Sequence, residues 1–368
     1  MYSVALKEIT TFLRTEYSGG FMKTIHVNTS HPYDVIIERD GIKKSGKYIR
    51  KITGASKAAV ITDDIVGALY GKIVTNSLEK NGFECSTFTF PNGEQSKNLS
   101  VFGEILDFLC ENSITRSDII IALGGGVVGD ITGFASASYL RGVDFVQIPT
   151  TLLAQIDSSV GGKTAIDIKG GKNLAGAFKQ PALVICDSNT LKTLTPEILS
   201  DGMAEAVKYG MIRDKNLFEL INNHTSATIH EALDDLIYTC IDIKRDVVEH
   251  DELDKGERMI LNFGHTLGHA LEGWHKYANF THGMGVAAGM CMITEKLCSP
   301  EIHEKLKNCL EKYSLPTGTN IPINELLPFC YKDKKRTSGS LSYIVCKTIG
   351  NAEIVKVTIE EFCRLMEE

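Results

Sequence analysis

At 368 residues the chain is longer than one compact core usually takes, so two domains are expected. Its composition, 43% hydrophobic and 23% charged, is that of a globular protein, and no apolar run approaches the roughly 18 residues a membrane helix needs. A net charge of −7 with no Lys/Arg-rich block argues against a nucleic-acid binder, so an anionic ligand must be met by a local cluster of cations.

Residues 1–21 have no continuous apolar segment behind a basic start, so they do not read as a secretory leader. They read either as a natural extension or as the mark of a late start codon, with Met22 a second plausible start. The ten cysteines include no CxxC pair, and several sit in apolar runs such as VICD and LSYIVC. Buried, reduced thiols in a cytoplasmic protein are expected.

Strand and helix patterns alternate from 58 to 194. AAVIT (58–62) is an apolar run that ends in Asp63 and Asp64, as strands at a ligand crevice often do. STFTF (86–90) is a strand closed by Pro91 and Asn92, and VFGEILDFLCEN (101–112) has helical spacing. DIIIAL (118–123), DFVQIP (144–149) and ALVICD (182–187) read as strands, the first of them buried on both faces. Such alternation predicts an α/β domain with a parallel-type sheet. From 195 the pattern turns helical, opening with Thr195 as N-cap and Pro196 at the first helical position, and it stays helical to about 312. SLSYIVC and AEIVKVT predict a small hairpin, and TIEEFCRLMEE a closing helix. The expected division is therefore 1–194, an α/β domain, and 195–368, a mainly helical domain.

In DIIIALGGGVVGDITGF, Gly124, Gly126 and Gly129 satisfy G-x-G-x-x-G directly after a strand. The acidic residue expected some 20 positions on is replaced by VQIPTT, and the loop is not the first βα turn. A standard dinucleotide fingerprint is thus disfavoured. A nucleotide-phosphate loop in another α/β arrangement, or a purely structural tight turn, stays open.

RMILNFGHTLGHALEGWHKYANFTHG (258–283) holds His265, His269, His275 and His282. His265 and His269 share a helix face at i, i+4, a spacing that can hold zinc, although surface or core histidines explain it as well. Thr266 stands where a metalloprotease needs its Glu, which disfavours protease chemistry. Glu205, in the apolar helical run GMAEAV, is the best carboxylate candidate for a metal, because a bare buried Glu is costly. The segment 147–178, QIPTTLLAQIDSSVGGKTAIDIKGGKNLAGAF, sets Lys163, Lys169 and Lys172 among glycines, a pattern suited to anions.

Together these motifs resemble one family, the 3-dehydroquinate synthases. The matching blocks are PNGEQSKN (91–98), GGGVVGDITGF (124–134), YLRGVDFVQIPTTLLAQIDSSVGGKTAI (139–166), KNLAGAF (172–178), DGMAEAVKYG (201–210), DVVEHDE (246–252) and LNFGHTLGHALE (261–272). The resemblance implies an NAD-binding α/β domain, a helical domain carrying a divalent metal (zinc, with cobalt as the alternative), and a sugar-acid phosphate substrate between them. On the family's metal ligands fall Glu205, His265 and His282. His269 then becomes an active-site histidine, and His275 is uninvolved. Active-site positions fall on Asp157, Lys163, Asn173, Lys208, Lys244, Arg258, Asn262 and His269. Arg141 falls on the residue that reaches the substrate phosphate from the neighbouring subunit of a homodimer. NAD-lining positions fall on Glu94, Lys97, Gly126, Val127, Val128, Gly129, Asp130, Thr150, Thr151, Lys163, Lys172, Thr190, Leu191, Lys192 and Thr193. A late substrate lysine falls on Lys334 or Lys335.

The implied reaction converts 3-deoxy-D-arabino-heptulosonate 7-phosphate to 3-dehydroquinate and phosphate, a step of the shikimate pathway in the cytoplasm, with no nucleic-acid or membrane partner. One departure stands out: the family reads KTAIN or KTAVN where this chain has Asp167. Competing readings are a sister cyclase making 2-deoxy-scyllo-inosose or a valiolone, a metal-dependent alcohol dehydrogenase of the same superfold, and a non-enzymatic binding protein.

Overall fold

The computed structural model describes residues 22–276, 280–334 and 340–367. Seven strands form one sheet in the order β1-β2-β9-β6-β5-β3-β4. They are β1 (Met22–Val27), β2 (Tyr33–Glu38), β3 (Lys57–Asp63), β4 (Glu84–Phe90), β5 (Ile119–Gly124), β6 (Asp144–Pro149) and β9 (Leu183–Cys186). All neighbours run parallel except the antiparallel edge hairpin β1–β2.

The continuous apolar run of β5 is explained by cover on both faces. Ile119, Ile121 and Leu123 enter one cluster with Ile49 of α1 (Ser45–Ile52) and Val74 and Leu78 of α2 (Lys72–Glu79). Ile120 and Ala122 point the other way, into a cluster with Ile105 and Leu109 of α3 (Leu99–Glu111) and Val128 and Ile131 of α4 (Gly126–Ser138). Cutting a fully buried isoleucine such as Ile121 to alanine costs about 2–5 kcal/mol.

Chain order locates the crevice. β4 follows β3 outward on one side, whereas β5 lies on the other side of β3. Ligands of open α/β sheets bind beyond the strand ends at such a reversal. Here those ends are Asp63, Gly124 and Pro149. The glycine turn therefore sits at the switch point without being the first βα turn.

Beyond Leu194 come α5 (Pro196–Ile212), α6 (Lys215–Asn222), α7 (Leu233–His250), α8 (His265–Trp274), α9 (His282–Leu297), α10 (Pro300–Glu311) and α11 (Ile323–Lys334). The hairpin of β10 (Ser340–Thr348) and β11 (Asn351–Thr358) and helix α12 (Ile359–Glu367) close the fold. Thr195 caps α5 through Oγ1, which accepts the Ile198 N–H, with Pro196 at the first position as expected. The core of these helices also takes in Ile25, Val27, Val35 and Ile37 of the edge hairpin.

Two features depart from the sequence reading. The hairpin β1–β2 lies ahead of the stretch read as alternating. The glycine-rich cationic segment folds into an antiparallel ribbon, β7 (Lys163–Ile168) with β8 (Gly171–Phe178). Its glycines read as loop, yet a Cβ on Gly176 would stand 2.1 Å from the Thr164 carbonyl oxygen, so close strand approach demands glycine there. Of the ten unpaired cysteines all but Cys85, Cys110 and Cys298 are buried, as expected. Among the described residues no helix is long and apolar enough to cross a membrane.

Candidate active site and metal centre

The glycine turn links β5 to α4. Gly129 donates its N–H to Gly125 O at 3.0 Å, which leaves the first N–H groups of α4, those of Gly126, Val127 and Val128, without an intrahelical acceptor. A Cβ on Gly124 would meet Val128 at 2.5 Å, and one on Gly129 would meet Gln147 Oε1 at 2.6 Å. Gly124 is required by the packing of α4 on the sheet, whereas a side chain at Gly129 would have to displace only the amide end of Gln147. Val128 is fully buried, with its side chain in the core. Thr150 N–H donates to Gly124 O at 3.0 Å, and its buried Oγ1 has no hydrogen-bond partner. An orphan hydroxyl beside open helix N–H groups suits a bound dinucleotide phosphate. Thr151 Oγ1 accepts the Ala154 N–H at 3.2 Å.

Around this turn, Lys97 Nζ donates to Asp130 Oδ2 at 2.6 Å and to Asn173 Oδ1 at 2.5 Å. Burial works against its charge, but Asp130 and Glu94 raise it above the ordinary lysine range. Lys172 Nζ stands 3.8 Å from Glu94 and 3.6 Å from Glu272. In the turn 190–193, Thr190 and Leu191 are buried, and Thr190 Oγ1 donates to Asp187 O at 2.8 Å. Only Lys192 and Thr193 of that group are exposed.

The second centre is built by close helix packing. A Cβ on Gly289 of α9 would lie 2.1 Å from Gly264 O, and one on Gly268 of α8 would lie 2.8 Å from Gly285. Glycine at these positions lets α8 and α9 touch. Asp201 of α5 accepts the Gly283 N–H at 2.6 Å and pins the start of α9 to α5. His265 at the start of α8, His282 at the start of α9 and the fully buried Glu205 of α5 thereby converge.

Nε2 of His265 and Nε2 of His282 each lie 3.4 Å from Glu205 Oε1. Tetrahedral ligands about 2.0–2.1 Å from zinc stand about 3.3–3.4 Å apart, so the spacing matches a metal edge. Lys208 lies against Glu205 Oε2, yet neither carboxylate oxygen accepts a well-directed hydrogen bond. Burial works to raise Glu205, but Lys208 and His265 hold it well below the usual carboxylate range. Burial and Lys208 push His265 down to about 4, which keeps it neutral as a ligand must be. Against its burial, Glu205 and Glu272 raise His282 to about 10, so an entering cation displaces a proton there. The Glu205, His265 and His282 set can therefore hold a divalent ion.

A second set, His269, Glu272 and His282, shares His282. His282 Nδ1 is 3.1 Å from Glu272 Oε1. Against burial, His282, His269 and Lys172 hold Glu272 down to about 2. His269 is exposed, its ring centroid 5.5 Å from His265 and 6.1 Å from His282, so it rims the centre. His275 stacks on Phe280 at 4.5 Å, apart from the cluster.

Buried cations complete the crevice. Lys244 Nζ donates to Asp157 O and Oδ1, both at 2.5 Å, and Tyr209 OH donates to Asp157 Oδ1 at 2.7 Å. Burial pushes Lys244 down to about 8, while Lys244 and Lys208 outweigh burial to hold Asp157 at about 2. Arg258 donates to Gly161 O at 3.0 Å and to Glu252 O at 2.7 Å. Lys163 pairs with Asp254, and Asn262 is exposed just ahead of α8. Arg141 stands apart: it follows α4 at the end away from the glycine turn, about 20 Å along the helix. It is exposed, with a left-handed φ of 66°. Lys335 lies outside the described residues, as does the Lys334 side chain.

Sequence reasoning gave no role to Glu272, Tyr209, Asp254 or Asp167. Glu272 carried a signal, since it follows His265 by seven residues and so shares its helix face.

An α/β domain joined to a mainly helical one is a fold that solved structures share. 2-Deoxy-scyllo-inosose synthase, complexed with carbaglucose-6-phosphate, NAD+ and Co2+, superposes with a TM-score of 0.82 at 23% identity, over 94% of this chain and 99% of that one. 2-Epi-5-epi-valiolone synthase from Streptomyces hygroscopicus, with NAD+ and Zn2+ bound, also gives 0.82, at 22% identity over 93% and 98%. At such identity the likeness establishes the fold. Sequence goes further. Residues 87–201 match the family model of the 3-dehydroquinate synthase N-terminal region, and residues 202–336 that of its C-terminal region. The 3-dehydroquinate synthase of Clostridium perfringens is 45% identical over 93% of this chain and 100% of the relative. That of Enterococcus faecalis is 45% identical over 92% and 97%. The chain belongs to the 3-dehydroquinate synthase family.

Proposed function

We infer that this chain is an active lyase that converts 3-deoxy-D-arabino-heptulosonate 7-phosphate to 3-dehydroquinate and phosphate, within the shikimate pathway. The observation that carries the reading is the convergence of Glu205, His265 and His282 beside buried Lys208, Lys244 and Arg258, in a family member 45% identical to curated synthases. The substrate's C5 hydroxyl is oxidised, a C6 proton and phosphate are eliminated, the ketone is reduced, and ring opening precedes aldol closure. NAD, when bound, accepts and returns the hydride, and a divalent metal, zinc or cobalt, polarises the hydroxyl to be oxidised.

The chain's own groups do the rest. Glu205, His265 and His282 hold the metal. The N–H groups at 126–128 and Thr150 meet the dinucleotide phosphates, with Glu94, Lys97, Asp130, Thr151, Lys172, Lys192 and Thr193 around them. Lys208, Lys244 and Arg258 neutralise the substrate's anionic groups. Lys163, Asn173 and His269 orient the reacting carbon and its proton. Residues 1–194 form the NAD-binding unit and 195–368 the metal- and substrate-binding unit. A homodimer lets Arg141, placed apart from its own crevice, reach the phosphate bound by the partner, and the enzyme works in the cytoplasm.

Product identification tests the reading. Carbocycle formation from 3-deoxy-D-arabino-heptulosonate 7-phosphate, with none from glucose 6-phosphate or sedoheptulose 7-phosphate, is expected. The reverse preference would move the chain to the sister cyclases.

A further inference from the structure

We propose that Glu272 is a positioning residue that orients His282 for the metal and ties it to Lys172 on the β7–β8 ribbon. The proposal rests on the metal-centre reading above. Glu272 is 3% exposed, in the last turns of α8. Its Oε1 lies 3.1 Å from His282 Nδ1, and its Oε2 lies 3.6 Å from Lys172 Nζ. Room for its stem comes from Gly285, where a Cβ would approach Glu272 Cγ to 3.4 Å.

Packing alone does not explain a carboxylate at this depth, because an apolar side chain would fill the space without the cost of burying charge. Both oxygens instead face nitrogen. When Nδ1–H donates to Glu272, Nε2 is left with its lone pair toward Glu205, the tautomer a metal needs. The same carboxylate faces Lys172, which also faces Glu94 at 3.8 Å. Metal ligand and ribbon lysine thus share one acidic group, and a change at either is felt by the other.

The test is zinc affinity by competition with a chromophoric chelator, on full-length apoprotein reloaded with zinc. Glu272→Ala should bind zinc about 100-fold more weakly and Glu272→Gln about 10-fold, the range expected when a ligand's hydrogen-bond partner is lost. The visible spectrum of the cobalt-loaded protein should shift in both. Lys172→Met should alter zinc affinity in the wild-type background and leave it unchanged in Glu272→Gln. Unchanged zinc affinity in folded Glu272→Ala overturns the proposal; if that variant does not fold, unchanged affinity in Glu272→Gln does so. Additive effects of Lys172→Met overturn the link to the ribbon. His265→Ala separates the two levels of inference. Zinc kept by His265→Ala removes the metal-centre reading itself. Zinc lost there but kept by the Glu272 variants removes only this proposal.

Discussion

Asp167 and Asn173 are joined across the β7–β8 ribbon: Asp167 Oδ1 accepts the Asn173 backbone N–H at 2.8 Å. Asn173 holds a left-handed φ of 54°, a conformation that costs a non-glycine residue about 1–3 kcal/mol unless its surroundings fix it. The Asp167 N–H in turn donates to Lys97 O at 2.8 Å, so one residue holds two neighbours of the crevice. The family's usual asparagine offers the same kind of acceptor oxygen, which accounts for tolerance of aspartate here. Asp167→Asn should keep near wild-type kinetics. Asp167→Ala should lose about 3- to 10-fold in kcat, the worth of one hydrogen bond. Steady-state assays decide it, and an unimpaired alanine variant would contradict this role.

Lys244 and Asp157 predict an alkaline limb. Burial places the folded-state value of Lys244 at about 8, below its ordinary 10.5. The ammonium therefore loses its proton as pH rises through about 8, and kcat/KM should fall there as an anion contact is lost. For stability the sign is opposite: between about 8 and 10.5 the unfolded chain binds more protons, so this group's contribution favours folding as pH rises. Asp157→Asn leaves a buried cation unpaired and should cost about 3–5 kcal/mol in chemical denaturation, more than Lys244→Met. A flat rate profile from pH 7 to 9.5 would contradict the assignment.

The α5–α8–α9 junction predicts a metal phenotype without touching a ligand. Gly289→Ala drives a methyl to 2.1 Å of a backbone oxygen. Overpacking of this kind costs about 1–3 kcal/mol or more, and parting α8 from α9 should also separate His265 from His282. Lower zinc content in a folded Gly289→Ala protein, read by atomic absorption, is expected.

His265 and His269 should separate cleanly. His265→Ala should abolish bound metal. His269→Ala, on the rim, should retain it and lose about 100-fold or more in kcat, in the range of a lost proton-transfer group. Equal zinc in wild type and His265→Ala would remove the ligand assignment.

Much of this was legible in the residues themselves. The run of DIIIAL announced a strand covered on both faces, and Thr195-Pro196 announced the start of α5. The i, i+4 pair His265 and His269 raised a metal site, but the geometry gathers His265 and His282 around Glu205 and leaves His269 on the rim. His282 lies on the next helix, and its approach to His265 depends on glycines whose role is visible only in three dimensions. The ribbon was hidden for a similar reason: glycine reads as loop locally but serves close strand contact here. Glu272 drew no notice, and Asp167 stood out only as a departure from the family's asparagine, because the contacts of both are made in three dimensions.

The central claim is that the chain turns over its substrate with NAD regenerated at a metal-dependent site. It is tested most directly by phosphate release from 3-deoxy-D-arabino-heptulosonate 7-phosphate with substoichiometric NAD, before chelation, after chelation and after zinc is restored. Phosphate well beyond the NAD supplied, lost on chelation and regained with zinc, is the expected result. No phosphate release by folded, metal-loaded protein, or release capped at one equivalent of NAD, would contradict it.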